Sequence, residues 1–191
     1  MPEPDDEFAT SWDYYYGDYY DDVLSYAARR VDHETARDIA AETFLIAWRR
    51  RKHIPTDRPF PWLLHVARNV LANEARGHRR RGRLWGRLRD HSGLRQPAPD
   101  VAHGIAEGGR IGSALRSLSP RDREALELVG WEGLAAKEAA IVAGCSEKTF
   151  SVRLSRARRR LADALAELDA ADHDAAVPPV PVPTMHRSPQ T

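Results

Sequence analysis

Residues 58–81 read RPFPWLLHVARNVLANEARGHRRR, and the rest of the chain is best read outward from them. At helical spacing Leu63, Val66 and Val70, flanked by Ala67 and Leu71, form an apolar stripe. Trp62, His65, Arg68, Asn69, Asn73, Arg76, Arg79 and Arg80 occupy the remaining faces. Pro59 or Pro61 opens the helix as its first residue, and Gly77 is expected to close it after about Arg76. A buried stripe beneath a row of Arg and Asn, with Phe60 and Trp62 at the start, suits a nucleic-acid backbone on one side and stacked bases on the other. A solvated basic face on an ordinary core helix is the competing reading.

Charge distribution separates the two. The 191 residues carry a net charge of only +1, which by itself argues against a nucleic-acid partner. Met1 to Ala28, however, holds eight acidic residues and no Lys or Arg. Arg76 to Arg95 holds eight arginines against one acid, and Lys148 to Arg160 holds six basic residues and none. A phosphate responds to this local field rather than to the sum. Hydrophobic content of 42% and charged content of 30% describe a soluble globular chain, and no apolar run approaches the ~20 residues of a membrane span. The acidic start MPEPDDEF is not a secretory signal. One cysteine, Cys145, leaves no internal disulfide or Cys-rich zinc site, so a reducing cytoplasm is expected.

Three helices are expected in the first part. Phe8 to Val31 steps through Phe8, Trp12, Tyr15 or Tyr16, Tyr19, Val23 and Tyr26, with Gly17 a weak point of about 1 kcal/mol. Asp32 or His33 to about Lys52 follows, buried through Ala36, Ile39, Ala40, Thr43, Phe44, Ala47 and Trp48, with Asp38, Glu42 and Leu45 on other sides. The prolines of HIPTDRP then break the chain before residues 58–81. From Gly82 to about Gly112 Arg, Gly, Pro and Ala dominate, which reads as a flexible linker in which Leu84, Trp85 and Leu88 can form one short helix. Its ~30 residues extend to about 100 Å, enough to let two modules grip sites about two DNA turns apart.

Order is expected again at Ile111 to Leu118. Ser119-Pro-Arg-Asp122 is a helix start with an N-cap serine, an N1 proline and a carboxylate near the positive helix end. A helix from Leu134 stops at Gly144, a natural C′ residue. Ser146 caps a last helix to about Leu168, buried through Phe150, Leu154, Ala157, Leu161, Leu165 and Leu168. Helix, glycine turn and capped basic helix make a helix-turn-helix. Lys148, Thr149, Ser151, Val152 and Arg153 would face base edges, and Arg156, Arg158, Arg159 and Arg160 would face phosphates. Asp169 to Thr191, rich in Ala and Pro, is expected to be disordered or partly extended.

The segments RDIAAETFLIAWRR, PWLLHVARNVLANEAR and LSPRDREALELVGWEGLAAKEAA with GCSEKTFSVRLSRARRRL resemble, in order and spacing, the extracytoplasmic-function sigma factors of bacterial RNA polymerase. The resemblance covers about Phe8 to Leu168. It implies an all-α fold of two small domains: residues 1–81 (region two), a linker 82–112, residues 113–168 (region four), and a tail 169–191. It implies a factor, not an enzyme, whose first domain docks on the polymerase β′ clamp helices and opens the −10 element. Its second domain would read the −35 duplex and touch the β flap. Asp38, Glu42 and Leu45 match the docking helix, and His53 to Phe60 the loop that receives a flipped base. With the basic face described above, the expected −10 residues are Arg58, Phe60, Trp62, His65, Arg68, Asn69, Asn73, Arg76, Arg79 and Arg80. The expected −35 residues are Ser146, Lys148, Thr149, Ser151, Arg153, Arg156 and Arg158. Partners implied are core polymerase, promoter DNA and, as for many members, an anti-sigma protein wedged between the domains.

Three features depart from the family pattern. Ala41 replaces a common Gln on the docking helix, Ser151 and Val152 replace Lys and Ser on the recognition helix, and the Pro-rich tail has no counterpart. A free-standing helix-turn-helix regulator, binding operator DNA without polymerase, is the alternative. It leaves the Asp38–Trp48 helix unexplained. A metal-dependent enzyme is disfavoured because the eight histidines are scattered, with no HExxH pair and no Gly-rich phosphate loop. No metal or cofactor is expected.

Overall fold

The computed structural model describes the backbone of residues 4–90 and 109–176, and most side chains within 16–80 and 109–171. All regular structure among them is helical: α1 (Pro4–Ala28), α2 (His33–Arg49), a 3-10 turn (Arg51–His53), α3 (Pro59–Asp90), α4 (Arg110–Ser117), α5 (Pro120–Gly130), α6 (Ala136–Ala143) and α7 (Glu147–Ala176).

α2 starts where its sequence dictates. The Asp32 carboxylate accepts from the Thr35 amide at 3.0 Å and the Thr35 hydroxyl at 2.8 Å, a cap of about 1 kcal/mol. The backbone hydrogen bond, followed by the hydroxyl, holds the Asp32 carboxyl below the usual range. Ala36, Ile39, Ala40, Thr43, Phe44 and Ala47 are buried as expected, and the Thr43 hydroxyl turns back to the Ile39 carbonyl at 2.7 Å. Trp48 departs from expectation and remains 39% exposed. Ala47 is the last buried position, and Trp48 lies further round the helix, where the Arg51 guanidinium sits 5.1 Å from its ring. In α1, Val23 and Tyr26 are buried and Tyr19 is half-buried. The side chains of Phe8, Trp12 and Tyr15 lie outside the described residues.

α3 buries more than one stripe. Val66 and Val70 meet Ala27, Ala36 and Ile39, whereas Leu63, Leu64 and Ala67 join a second cluster. Leu64, which is not on the expected stripe, is fully buried because α3 packs against α1 and α2 on one side and α6 on the other. Nor does Gly77 end the helix, which runs to Asp90. Each interior glycine costs about 1 kcal/mol, and α3 carries three of them, Gly77, Gly82 and Gly86, among Arg and Leu residues that favour helix. Residues 82–90 of the expected linker are therefore helical; the side chains of Leu84, Trp85 and Leu88, and residues 91–108, lie outside the described residues.

Ser119 caps α5, accepting from the Asp122 amide at 3.2 Å, with Pro120 in the first turn. Gly144 ends α6 in the left-handed region at φ 64°. Its amide bonds Ile141 at 3.1 Å, and the Cys145 amide bonds Ala140 at 3.0 Å, the two bonds of a Schellman ending. On α7, Phe150 and Ala157 are fully buried and Leu154 nearly so. The helix continues through Asp169–Ala176, residues expected in the tail, because their alanines favour helix over coil. Residues 177–191 lie outside the described residues.

The two helical groups share one core. Tyr26, Leu63, Leu64 and Ala67 from α1 and α3 pack in the same cluster as Ala125, Leu128, Ala139, Val142 and Phe150 from α5 to α7. Burial pushes the Tyr26 phenol up to about 12, against the opposing charge of Arg30. Its folded value thus lies above its unfolded one. The associated stability is complete below about pH 10 and is lost as pH rises from there towards 12. In an absorbance titration at 295 nm one of the six tyrosines should ionise only with loss of the helical signal, and Tyr26→Phe should remove that step. Six tyrosines titrating together below pH 11 would contradict the burial.

Candidate nucleic-acid interface

The α6 ending and the α7 cap together aim the last helix. The Ser146 hydroxyl oxygen accepts from the Thr149 amide at 3.2 Å and shares a 2.8 Å hydrogen bond with the Thr149 hydroxyl. Both groups are thus tied to the cap, though they remain exposed. Phe150 anchors the first turn, so Lys148, Ser151 and Val152 point outward and Arg153 is half-buried. Arg156, Arg158 and Arg159 continue the exposed basic face. Arg160, expected to meet phosphate, is instead bonded to Asp122, which is 5% exposed.

Between α5 and α7 lies an open cavity of about 480 Å³ whose lining includes Ser119, Arg121, Lys148, Arg153 and Arg156. It sets the positive end of α5 and the Asp122–Arg160 pair among four further cations. This combination suits one backbone phosphate, while Ser151 and Val152 on the adjoining helix remain available to base edges.

On α2, Asp38, Ala41 and Glu42 are exposed, Leu45 is 47% exposed and Trp48 39%. Two carboxylates beside the partly exposed apolar surfaces of Leu45 and Trp48 make a patch that suits a basic, partly apolar helix of another protein.

The expected −10 residues on α3 do not form one free surface. Asn69, Asn73, Arg76 and Arg80 are exposed, with Arg76 bonded to Asn73. Arg58 pairs with Asp57 at 3.1 Å, and Phe60 stacks on Tyr19 with centroids 5.6 Å apart. Trp62 is half-buried against both clusters. Two more, His65 and Arg68, are engaged by the second helical group. His65 Nδ1 lies 3.1 Å from the Val142 carbonyl and Nε2 lies 3.0 Å from Asn69 Nδ2, which fits the tautomer with its proton on Nδ1. Arg68 is forked onto Glu124, its Nη2 donating at 3.1 Å, and that hydrogen bond holds the guanidinium still more firmly protonated. The side chain of Arg79 lies outside the described residues.

Sequence reasoning did not single out the partners of this seam. Arg29 bonds Glu132, and Arg30 bonds Glu127 at 2.9 Å and Glu132 at 3.3 Å. These pairs join residues about a hundred positions apart, and no local pattern marks them. Acids at 124, 127 and 132 within an otherwise basic second half were the available hint.

The arrangement has known counterparts. Residues 15–81 match the model of Sigma-70 region 2 and residues 109–161 that of Sigma-70, region 4. The chain is 34% identical over 147 residues to the ECF RNA polymerase sigma factor SigL of Mycobacterium tuberculosis, covering 75% of this chain and 82% of SigL. This chain belongs to the extracytoplasmic-function sigma factors. It is 33% identical over 152 residues to BldN of Streptomyces coelicolor, covering 77% of this chain but only 57% of that longer protein. Among solved structures it is similar to the sigma factor RpoE of Bartonella quintana, crystallised with the anti-sigma factor NepR. That likeness has a TM-score of 0.57 and 26% identity over 82% of this chain and 97% of RpoE. Both matched regions of the sigma factor are thus present, and among the described residues no helix is long and apolar enough to cross a membrane.

Proposed function

We propose that this sigma factor binds core RNA polymerase in the cytoplasm and directs initiation at its own promoters. The observation that carries the reading is the pairing, on one chain, of an exposed acidic-apolar face on α2 with a capped basic recognition helix α7. Asp38, Glu42 and Leu45, with Trp48 beside them, would meet the β′ clamp helices. α7, through Lys148, Thr149, Ser151, Arg153, Arg156 and Arg158, would read the −35 duplex, with Ser146 at its cap. α3 and the loop before it, through Arg58, Phe60, Trp62, His65, Arg68, Asn69, Asn73, Arg76, Arg79 and Arg80, would capture the opened −10 strand. The docking and melting unit would lie within residues 1–81 and the −35 reader within 113–168, with the flap of the β subunit against the latter. An anti-sigma protein, as RpoE has, is a further proposed partner.

Energetics favour a factor that acts on polymerase. Unstacking a base costs a few kcal/mol, and aromatic stacking returns roughly 1–3 kcal/mol per captured base. Arginine–phosphate contacts add a salt-dependent term. A small helical unit does not open a bubble on those terms alone, but anchoring makes its contacts effectively intramolecular. Footprinting of the reconstituted holoenzyme tests the reading. Arg153→Ala or Arg156→Ala should weaken upstream protection about tenfold at 150 mM salt, while Trp62→Ala should spare it and reduce permanganate reactivity of the bubble. Unchanged footprints in all three variants would reject the assignment.

A further inference from the structure

We infer that the basic end of α2, through Arg49, Arg50 and Lys52, grips phosphates of the separated promoter strand as it passes the loop before α3. The inference rests on the functional reading above and extends it to a surface outside the residues assigned so far. Residues 49–60, RRRKHIPTDRPF, carry five Arg or Lys and one acid, Asp57. That acid pairs with Arg58 at 3.1 Å, and Arg51 folds back over the Trp48 ring. Arg49, Arg50, Lys52 and His53 are exposed. Among the described residues their side chains have neither an ion pair nor a hydrogen bond.

The patch is built by the backbone rather than left loose. The His53 amide bonds the Arg50 carbonyl at 2.8 Å and the Ile54 amide bonds Arg51 at 3.2 Å, closing the 3-10 turn. Ile54, 9% exposed, pins its exit to the core. Cations are favoured at a helix C-terminus, an effect confined to the last turn. That accounts for Arg49; Lys52 lies past the end of α2.

Charge along α2 selects the partner. Asp38 and Glu42 mark one part of the helix and Arg49 and Arg50 the other. From Asp38 to Arg50 is about 18 Å of helix, more than twice the Debye length of about 8 Å at physiological salt. A basic surface that matches the two carboxylates would be repelled by the arginines, so the two parts meet different partners. Position then favours a nucleic-acid strand over an acidic protein. The turn leads directly into Arg58 and Phe60, and a basic track running into aromatic side chains is how single strands are held.

The test uses holoenzyme reconstituted from core polymerase and the full chain, with two fluorescein-labelled templates. One is a promoter fragment selected from a library, with its −10 segment held unpaired; the other is its upstream duplex alone. R49Q/R50Q/K52Q should bind the unpaired template about tenfold more weakly at about 150 mM salt. The slope of log Kd against log salt should be shallower by about 2, because each single-strand phosphate contact contributes roughly 0.7. Affinity for the upstream duplex and copurification with core polymerase should match wild type, and R49K/R50K should keep the wild-type slope. An unchanged slope, or equal weakening on both templates, would overturn the inference. Loss of core polymerase from the variant would overturn it too, by showing that the patch meets protein. If the triple variant does not fold, K52Q alone should flatten the slope by about 0.7, and no change there would be equally decisive against it. Wild-type holoenzyme that binds neither template faults the functional reading and the inference together; a wild-type complex that the variant reproduces in full faults the inference alone.

Discussion

Phe150→Ala should lower stability by about 3–5 kcal/mol, the range for truncating a fully buried aromatic ring. Phe150 has no exposed surface and lies in the cluster shared by both helical groups. For a chain of this size each kcal/mol shifts the melting temperature by roughly 2–4 °C, so a fall of about 10 °C is expected by circular dichroism. The position is chosen because it also holds the first turn of α7 in place; the variant should lose the −35 footprint before it loses all helix. Val152→Ala, two residues along and 46% exposed, should change stability by less than about 0.5 kcal/mol. Equal effects at the two positions would mean that α7 is not seated as described.

Asp38→Arg should reduce association with core polymerase by more than thirtyfold. Reversing a charge at the centre of an electrostatically matched interface loses one attraction and adds one repulsion, and truncations alone cost about 2–5 kcal/mol where such pairs are buried. Asp38 is exposed and flanks Glu42 and Leu45 on the same helix, so the change should leave the thermal melt within a degree or two of wild type. Glu167→Arg, a reversal of equal size on the exposed side of α7, is the control and should copurify normally. A full loss of binding by both would indicate a general charge effect and remove the docking assignment from α2.

Much of this architecture is written locally. The Asp32 and Ser119 caps, the left-handed Gly144 and the α2 stripe each depend on residues within one or two turns, and each is where the pattern places it. The extents of α3 and α7 were less legible, because isolated glycines or an Ala-rich stretch are weighed against tens of helical neighbours rather than alone. The basic and polar faces were legible as composition but not as availability. Arg68 and Arg160 read as free cations until Glu124 and Asp122, distant in sequence, are brought against them. Trp48 shows the converse: its spacing is that of a core residue, yet it stays 39% exposed with the Arg51 guanidinium over its ring. An ion pair across the seam has no period and no motif, so only the folded chain shows it.

Transcription in vitro tests the central claim most directly: purified full-length chain, core polymerase and a library of promoter fragments, with start sites read by sequencing. The account predicts discrete starts downstream of a shared pair of upstream motifs, present only when both proteins are added and abolished by Asp38→Arg. Starts at the same positions with core polymerase alone, or none on any template despite a folded chain, would contradict it.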